Sequence, residues 1–89
     1  MNSVIFIGHI TSAPKINPSG ITFTLAVDRE GGGTDYFRCT VITARKLTKG
    51  MRILFTGRAE NNNHISRDGA KVYNFQYVAD HIEILQEGE

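Results

Sequence analysis

The segment TDYFRCTV, residues 34–41, alternates two kinds of side chain along its length. Because successive side chains of a β-strand point to opposite faces, Phe37, Cys39 and Val41 fall on one face. The opposite face carries a ring, a cation, a hydroxyl and an aliphatic group: Tyr36, Arg38, Thr40 and Ile42. We therefore predict a strand over residues 36–43 whose first row enters a hydrophobic core and whose second row faces outward.

Four other stretches have the composition of strands and are separated by turn signals. They predict strands at residues 3–10, 21–28, 51–60 and 71–85. The clearest turns are NPSG at residues 17–20 and the pair Asp68-Gly69, and Gly57 predicts a bend or bulge that would let a sheet curl. The sequence thus predicts an all-β fold, a five-stranded Greek-key OB-fold barrel, with a small SH3-like barrel as the structural alternative.

The 89 residues are predicted to form one domain, residues 1–89, with a short acidic end at residues 86–89. The connection ARKLTKG, residues 44–50, leaves room for one or two helical turns, so a helix between the third and fourth strands is expected to be shortened or absent. A composition of 40% hydrophobic and 21% charged residues, without a long apolar run or a signal peptide, predicts a cytoplasmic protein. The lone Cys39 is expected to be a buried hydrophobic side chain.

The net charge of +1 hides an uneven distribution of charge along the chain. Residues 80–89 carry four acids and no Lys or Arg, whereas residues 38–71 carry eight bases against two acids. The eight bases are Arg38, Arg45, Lys46, Lys49, Arg52, Arg58, Arg67 and Lys71. This segment favours binding of a polyanion and an ordinary solvated surface about equally.

The sequence has no pattern of residues that predicts an enzyme. The glycines at 31–33 lack the Lys and Ser or Thr of a phosphate-binding loop. His9, His64 and His81 have no metal-ligand spacing, and there is no second cysteine. We therefore expect no catalysis, no metal and no cofactor.

The outward row of the third strand suggests a binding surface. A base could stack on Tyr36 while Arg38 meets a phosphate, because same-face neighbours lie about 6.6 to 6.8 Å apart, close to the spacing of stretched nucleotides. The outward row of the fourth strand also combines cations with a hydroxyl and an aliphatic side chain: Arg52, Leu54, Thr56 and Arg58. An alternative has equal weight, in which Tyr36 and Leu54 lie in a subunit contact and Arg38 pairs with Asp35.

Five segments in order resemble the bacterial and phage single-stranded DNA-binding proteins: MNSVIFIGHITSAPKI, FTLAVDR, TDYFRCTV, KGMRILFTGR and DGAKVYNFQYVADHIEIL. The resemblance implies an OB-fold that binds single-stranded DNA with little sequence preference, usually as a homo-oligomer. NPSGI and IEIL are also similar to the primosomal replication protein N relatives, which are short dimeric OB-folds.

By position, the resemblance implies stacking on Tyr36 with Arg38 beside it, Ile42 where a stacking Phe is common, and His64 in an aromatic loop position. With phosphate candidates added, the predicted nucleic-acid-binding set is Tyr36, Arg38, Ile42, Arg45, Lys46, Lys49, Arg58, His64, Arg67 and Lys71. The row implied for subunit contacts is Arg52, Leu54 and Thr56. The chain has no Trp, so we expect fewer stacking platforms, each worth about 1 to 3 kcal/mol, and more reliance on Lys and Arg.

The partners expected from this resemblance are single-stranded DNA, with RNA as a further candidate, and a second copy of the chain as homodimer or homotetramer. The context would be DNA replication, recombination or repair at the nucleoid. The family's acidic tail has no counterpart after LQEGE, so recruitment of replication proteins through such a tail is not expected. A primosome or replication-restart assembly factor and a β-barrel adaptor that binds only protein are the alternative functions.

Overall fold

The described part of the chain consists of strands and the segments that connect and flank them, and it contains no helix. The computed structural model describes residues 1–61, 63–72 and 74–88, and the side chain of His64 also lies outside the description. The strands are β1 (Val4–Ile10), β2 (Lys15–Asn17), β3 (Gly20–Asp28), β4 (Thr34–Val41), β5 (Arg52–Asn61), β6 (His64–Ile65), β7 (Lys71–Val72) and β8 (Phe75–Gln86).

Five of these strands close into a barrel in the order β1-β5-β8-β4-β3, with β2 added to the edge of β3. Closure comes from antiparallel pairing of β1 with β3, His9 opposite Ala26 and Ile10 opposite Leu25. The β4–β8 pair is parallel, and the other neighbours are antiparallel. This arrangement confirms the predicted OB-fold barrel.

Two glycines allow backbones to approach where the barrel bends. A Cβ on Gly8 would collide with the carbonyl oxygen of Ala26, at the point where β1 meets β3. A Cβ on Gly57 would collide with the carbonyl oxygen of Val78, and the β5–β8 register shifts beside it. The bulge predicted at Gly57 is therefore present, and it bends β5 so that the sheet can close.

The core follows the alternation of the sequence. Cys39 and Val41 of β4 are buried together with Phe23, Leu25 and Phe55. Phe37 is partly buried and packs against this core. Burial raises the pKa of the Cys39 thiol to about 12, so the group is an un-ionised apolar side chain, as its place in the row predicts.

Several element boundaries differ from the prediction. The strand predicted at 36–43 lies at Thr34–Val41, and the single strand predicted at 71–85 is divided into β7 and β8. The reason is that Lys71–Val72 pairs with His64–Ile65 in a separate hairpin around the predicted Asp68-Gly69 turn. The predicted NPSG turn joins β2 to β3, with Asn17 opposite Gly20.

The connection between β4 and β5 contains turns and bends instead of a helix. Its Leu47 is buried, and so is Met51 directly before β5. Both side chains join the core cluster, so the end of the barrel near this connection is filled by two aliphatic side chains.

The core predicts a contrast between two phenylalanines. Phe55 is fully buried, so Phe55→Ala should lower the free energy of unfolding by about 3 to 5 kcal/mol. Phe75 is 64% exposed, so Phe75→Ala should change it by less than about 1 kcal/mol. Urea unfolding followed by circular dichroism measures both. Equal losses for the two variants would contradict this assignment of the core.

Candidate nucleic-acid interface

The outward row of β4 is accessible along its length. Tyr36 is 66% exposed, Arg38 is exposed, and Thr40 is half-buried. Ile42, just past the end of the strand, is 86% exposed. On β3, the residues opposite Tyr36, Arg38 and Thr40 are small: Ala26, Thr24 and Thr22. They leave the Tyr36 ring and the Arg38 guanidinium uncovered. The predicted outward row is therefore present.

Arg38 is not neutralised by the nearby acid. The Asp35 carboxylate instead accepts hydrogen bonds from Arg29, with Nη2 at 2.6 Å and Nε at 2.9 Å. These hydrogen bonds lower the pKa of Asp35. Among the residues the structure describes, Arg38 forms no ion pair. The alternative in which Arg38 pairs with Asp35 is therefore wrong for this chain, and Arg38 keeps its charge for an external anion.

Arg58 lies on the same outward face as Arg38 but is already paired. It sits opposite Val78, and Val78 in turn sits opposite Thr40, so one row crosses β5, β8 and β4. The Arg58 guanidinium lies 2.7 Å from a carboxylate oxygen of Glu60. Half-exposed pairs of this kind contribute about 0 to 1 kcal/mol, so a phosphate could exchange for the carboxylate at little cost.

The face formed by β3, β4, β8 and β5 has shallow concavities, and Arg38 lines three of them. One of about 390 Å³ also has Thr22, Thr40 and Gln76 in its lining. Another has Lys15 and Ser12 on its rim. The guanidinium thus stands at the centre of the face.

A second group of predicted residues comes together where β4 ends. Ile42, Arg45 and Lys46 line one pocket of about 590 Å³, together with Ile16 and Leu47. The backbone N–H of Arg45 donates to the Thr43 hydroxyl, which shapes this turn. Lys49 follows in the next turn and is exposed. The continuation of the β4 row is therefore aliphatic with cations at its rim.

The β6–β7 hairpin carries the remaining predicted cations, Arg67 and Lys71, both exposed. Among the described residues, its two strands pair with each other and with no strand of the barrel. Its turn is closed by Ser66, whose hydroxyl donates to Asp68 and lowers the pKa of that carboxyl. The structure therefore does not join these cations to the β4 row, and the side chain of His64 lies outside the described residues.

An exposed apolar patch lies on the outer face of β1 and β5. Ile5 stands opposite Thr56, Ile7 opposite Leu54, and His9 opposite Arg52. Ile5 and Ile7 are exposed, and Leu54 is half-buried. The residues predicted for subunit contacts, Arg52, Leu54 and Thr56, therefore adjoin two isoleucines that the sequence analysis left unassigned.

Phe75 is the functional candidate that sequence reasoning missed. It opens β8 in the same alternating row as Tyr77 and Ala79, which pack on the core. Although Phe75 shares this inward row, its ring is exposed and lines a concavity with Tyr36 and Arg38. The available signal was its position at the strand end, next to a polar loop.

Among the described residues, no three His, Cys, Asp or Glu side chains come together in a way that could hold a metal ion. Within the same residues, no helix is long and apolar enough to cross a membrane.

The closed barrel with the strand order β1-β5-β8-β4-β3 places the chain in the OB-fold class of small β-barrels. Residues 1–85 match the single-strand binding protein family. The chain belongs to that family.

Similar proteins agree with this assignment. The chain is 33% identical to single-stranded DNA-binding protein 3 of Listeria innocua, over 97% of this chain and 64% of the relative. It is 30% identical to the single-stranded DNA-binding protein of Bacillus cereus, over 97% of this chain and 61% of the relative. The chain thus spans about three fifths of the length of these relatives.

A solved structure with a similar fold is the mitochondrial single-stranded DNA-binding protein of S. cerevisiae. It superposes with a TM-score of 0.76 at 20% identity, covering 97% of this chain and 96% of the yeast chain. At that identity the similarity supports the barrel alone. The suggested relationship to primosomal replication protein N stays a prediction.

Proposed function

We propose that the chain binds single-stranded DNA with little sequence preference, on the outward face formed by β3, β4, β8 and β5. The observation that carries the proposal is the exposed pair Tyr36 and Arg38. Among the described residues the Arg38 cation forms no ion pair, and Arg29 occupies Asp35. Membership of the single-strand binding protein family supports the choice of ligand.

The mechanism combines stacking with charge. A base offers a flat π-face to Tyr36 whatever its identity, which makes stacking tolerant of sequence. Arg38, two residues further along the same face, meets an adjacent phosphate and releases its condensed counterions. Beyond Thr40, the aliphatic Ile42 gives a base an apolar surface but no ring.

The other cations differ in how readily they meet the strand. Arg45 and Lys46 flank Ile42 and are the natural continuation of the path. Arg58 takes part by exchanging Glu60 for a phosphate. The flanking contacts are assigned to Lys49, His64, Arg67 and Lys71.

We assign this binding to DNA replication, recombination or repair, where single strands are exposed, and we propose no catalytic step. A replication-restart assembly factor that uses the same barrel is the alternative within this class. An adaptor that binds only protein is the alternative outside it. RNA and replication proteins are candidate further partners.

The proposal predicts the behaviour of a labelled oligo-dT in fluorescence anisotropy. Binding should weaken as salt rises and should persist against a duplex competitor of equal length. Tyr36→Ala should weaken it about 5- to 150-fold, corresponding to roughly 1 to 3 kcal/mol of stacking. Arg38→Ala should weaken it and reduce the slope of log affinity against log salt by about 0.7.

The double variant Arg29→Ala with Asp35→Ala is the matched control, because it removes a guanidinium together with its ion-paired carboxylate at the start of β4 and leaves no freed acid to pair with Arg38. It should change affinity much less than Arg38→Ala. Absence of binding at low salt would refute DNA binding and favour the protein adaptor. An affinity for oligo-dT that is unchanged in both Tyr36→Ala and Arg38→Ala would refute the assignment of this face.

We further propose that the apolar patch on β1 and β5 is a contact between copies of this chain. Ile5, Ile7 and Leu54 form a continuous apolar surface, flanked by Arg52 and Thr56. An apolar surface of this kind gains free energy when a partner covers it, about 25 cal/mol for each Å² removed from water.

This contact predicts that Ile7→Glu lowers the oligomer mass measured by light scattering after size exclusion. Ile16→Glu is the matched control, since Ile16 is an even more exposed isoleucine outside the patch, at 86% against 44%. The control should keep the wild-type mass. A wild-type chain that is monomeric at high concentration, or an unchanged mass for Ile7→Glu, would contradict the proposed contact.

A further inference from the structure

Phe75 and Tyr36 are the two exposed aromatic side chains among the residues the structure describes, at 64% and 66%. The other described rings are buried or packed against the core: Phe6, Phe23, Phe37, Phe55 and Tyr77. Tyr36 has a hydroxyl that water can solvate, but Phe75 has none. Burying such a ring is favourable, and the folded chain alone leaves most of the Phe75 ring in contact with water.

The fold places Phe75 near Tyr36. The parallel pairing of β4 and β8 matches Cys39 with Tyr77 and Thr40 with Val78. Two residues earlier on each strand, the same register brings Phe75 to the level of Phe37, next to Tyr36 in sequence. On its other side, Phe75 is held by antiparallel pairing with Asn61 of β5. The backbone that carries the ring is therefore held in a strand, which lowers the backbone entropy lost when a ligand binds.

A concavity of about 370 Å³ lies between these strand ends. Its lining consists of Tyr36, Phe37, Arg38, Asn74, Phe75 and Tyr77. Tyr36, Phe75 and Arg38 thus belong to one site. The β4–β8 pairing itself begins two residues beyond Phe75, at Tyr77 opposite Cys39.

Packed rings support the base of this concavity. Phe37 stacks on Phe6 with ring centroids 4.3 Å apart, and Tyr77 meets both rings edge-on at 5.2 Å. Stacked and edge-on aromatic pairs of this kind stabilise each other beyond their burial, so these three rings form an ordered base for the concavity. A ligand that enters the concavity would meet fixed apolar surfaces below and exposed rings at the sides.

We propose that Phe75 is a second stacking platform, and that one base of the bound strand enters the concavity between Phe75 and Tyr36 while Arg38 meets its phosphate. The inference rests on the proposed single-stranded DNA binding and adds a defined base site to it. A nucleobase suits the lining because its faces are apolar and its edges are polar. Asn74 at the rim offers an amide to those edges.

The proposed base site also adds an aromatic ring to a chain that has few exposed rings for stacking. The β4 row ends in the aliphatic Ile42, and the sequence has no Trp. Phe75 restores a ring on the neighbouring strand, at the opposite end of the row from Ile42. Stacking is therefore concentrated around Tyr36, and the Ile42 end relies on its cations.

The absence of Trp from the chain allows a direct test. Phe75→Trp introduces a single tryptophan, which can be excited selectively over the tyrosines, and its emission should be quenched by oligo-dT with saturation that follows the anisotropy titration of the same variant. Leu85→Trp is the matched control, at an exposed apolar position near the far end of the same strand. Its emission should change little.

Affinity gives the second measurement. Phe75→Ala and Phe75→Leu should each weaken oligo-dT binding about 5- to 150-fold, since both remove the ring and Leu keeps an apolar side chain. Phe75→Trp should bind at least as tightly as the wild type. Because both rings hold one base, the combined Tyr36→Ala and Phe75→Ala variant should lose less than the product of the single losses.

The failure of this inference can be told from failure of the proposed function. If the wild type binds oligo-dT while Phe75→Ala and Phe75→Leu bind equally well and Phe75→Trp is not quenched, Phe75 is no platform and DNA binding still stands. If Phe75→Ala lowers the oligomer mass without changing DNA affinity, the ring belongs to a subunit contact. A wild type that binds no oligo-dT would overturn both proposals.

Discussion

Closure of the barrel between β1 and β3 is the constraint on which the other features depend. The two strands pair at His9 with Ala26 and at Ile10 with Leu25, and Gly8 lets the backbones approach because it has no Cβ. A closed barrel removes the inner sheet edges and commits one row of every strand to the core. The other row must then face outward, and on β4 that row carries Tyr36 and Arg38.

Ion pairs between neighbouring residues determine which cations of the outward face are available to a ligand. Arg29 occupies Asp35 at the loop before β4, while Arg58 and Glu60 occupy each other on β5. These pairs leave Arg38 as the unpaired cation at the centre of the face, within the residues described. A surface pair contributes little to stability, so its larger effect here is to decide which cation is available to an anion.

Much of this fold could be predicted from alternation alone. The inward row Phe37, Cys39 and Val41 and the turns at NPSG and Asp68-Gly69 were assigned correctly because they depend on local geometry. The division of the last strand into β7 and β8 could not be predicted from its composition, because it depends on which strand each part pairs with.

In the candidate site too, positions that depend on local geometry could be predicted, and positions that depend on tertiary structure could not. The outward positions of Tyr36 and Arg38 can be predicted because a single strand defines their row. Phe75 was missed because its exposure depends on where the core ends, and Ile5 and Ile7 because β1 reads as uniformly apolar. Periodicity also does not decide whether Asp35 pairs with Arg29 or with Arg38, because the choice depends on the tertiary structure.

The central claim is that the single strand binds the outward face of β4 and the adjoining concavity that Phe75 lines. The most direct test is the change in amide chemical shifts when oligo-dT is added to the isotope-labelled protein. The account predicts the largest changes at Tyr36, Arg38 and Phe75, and small changes at Ile5 and Ile7 across the barrel. Changes concentrated at Ile5 and Ile7, or none at saturating oligo-dT, would contradict it.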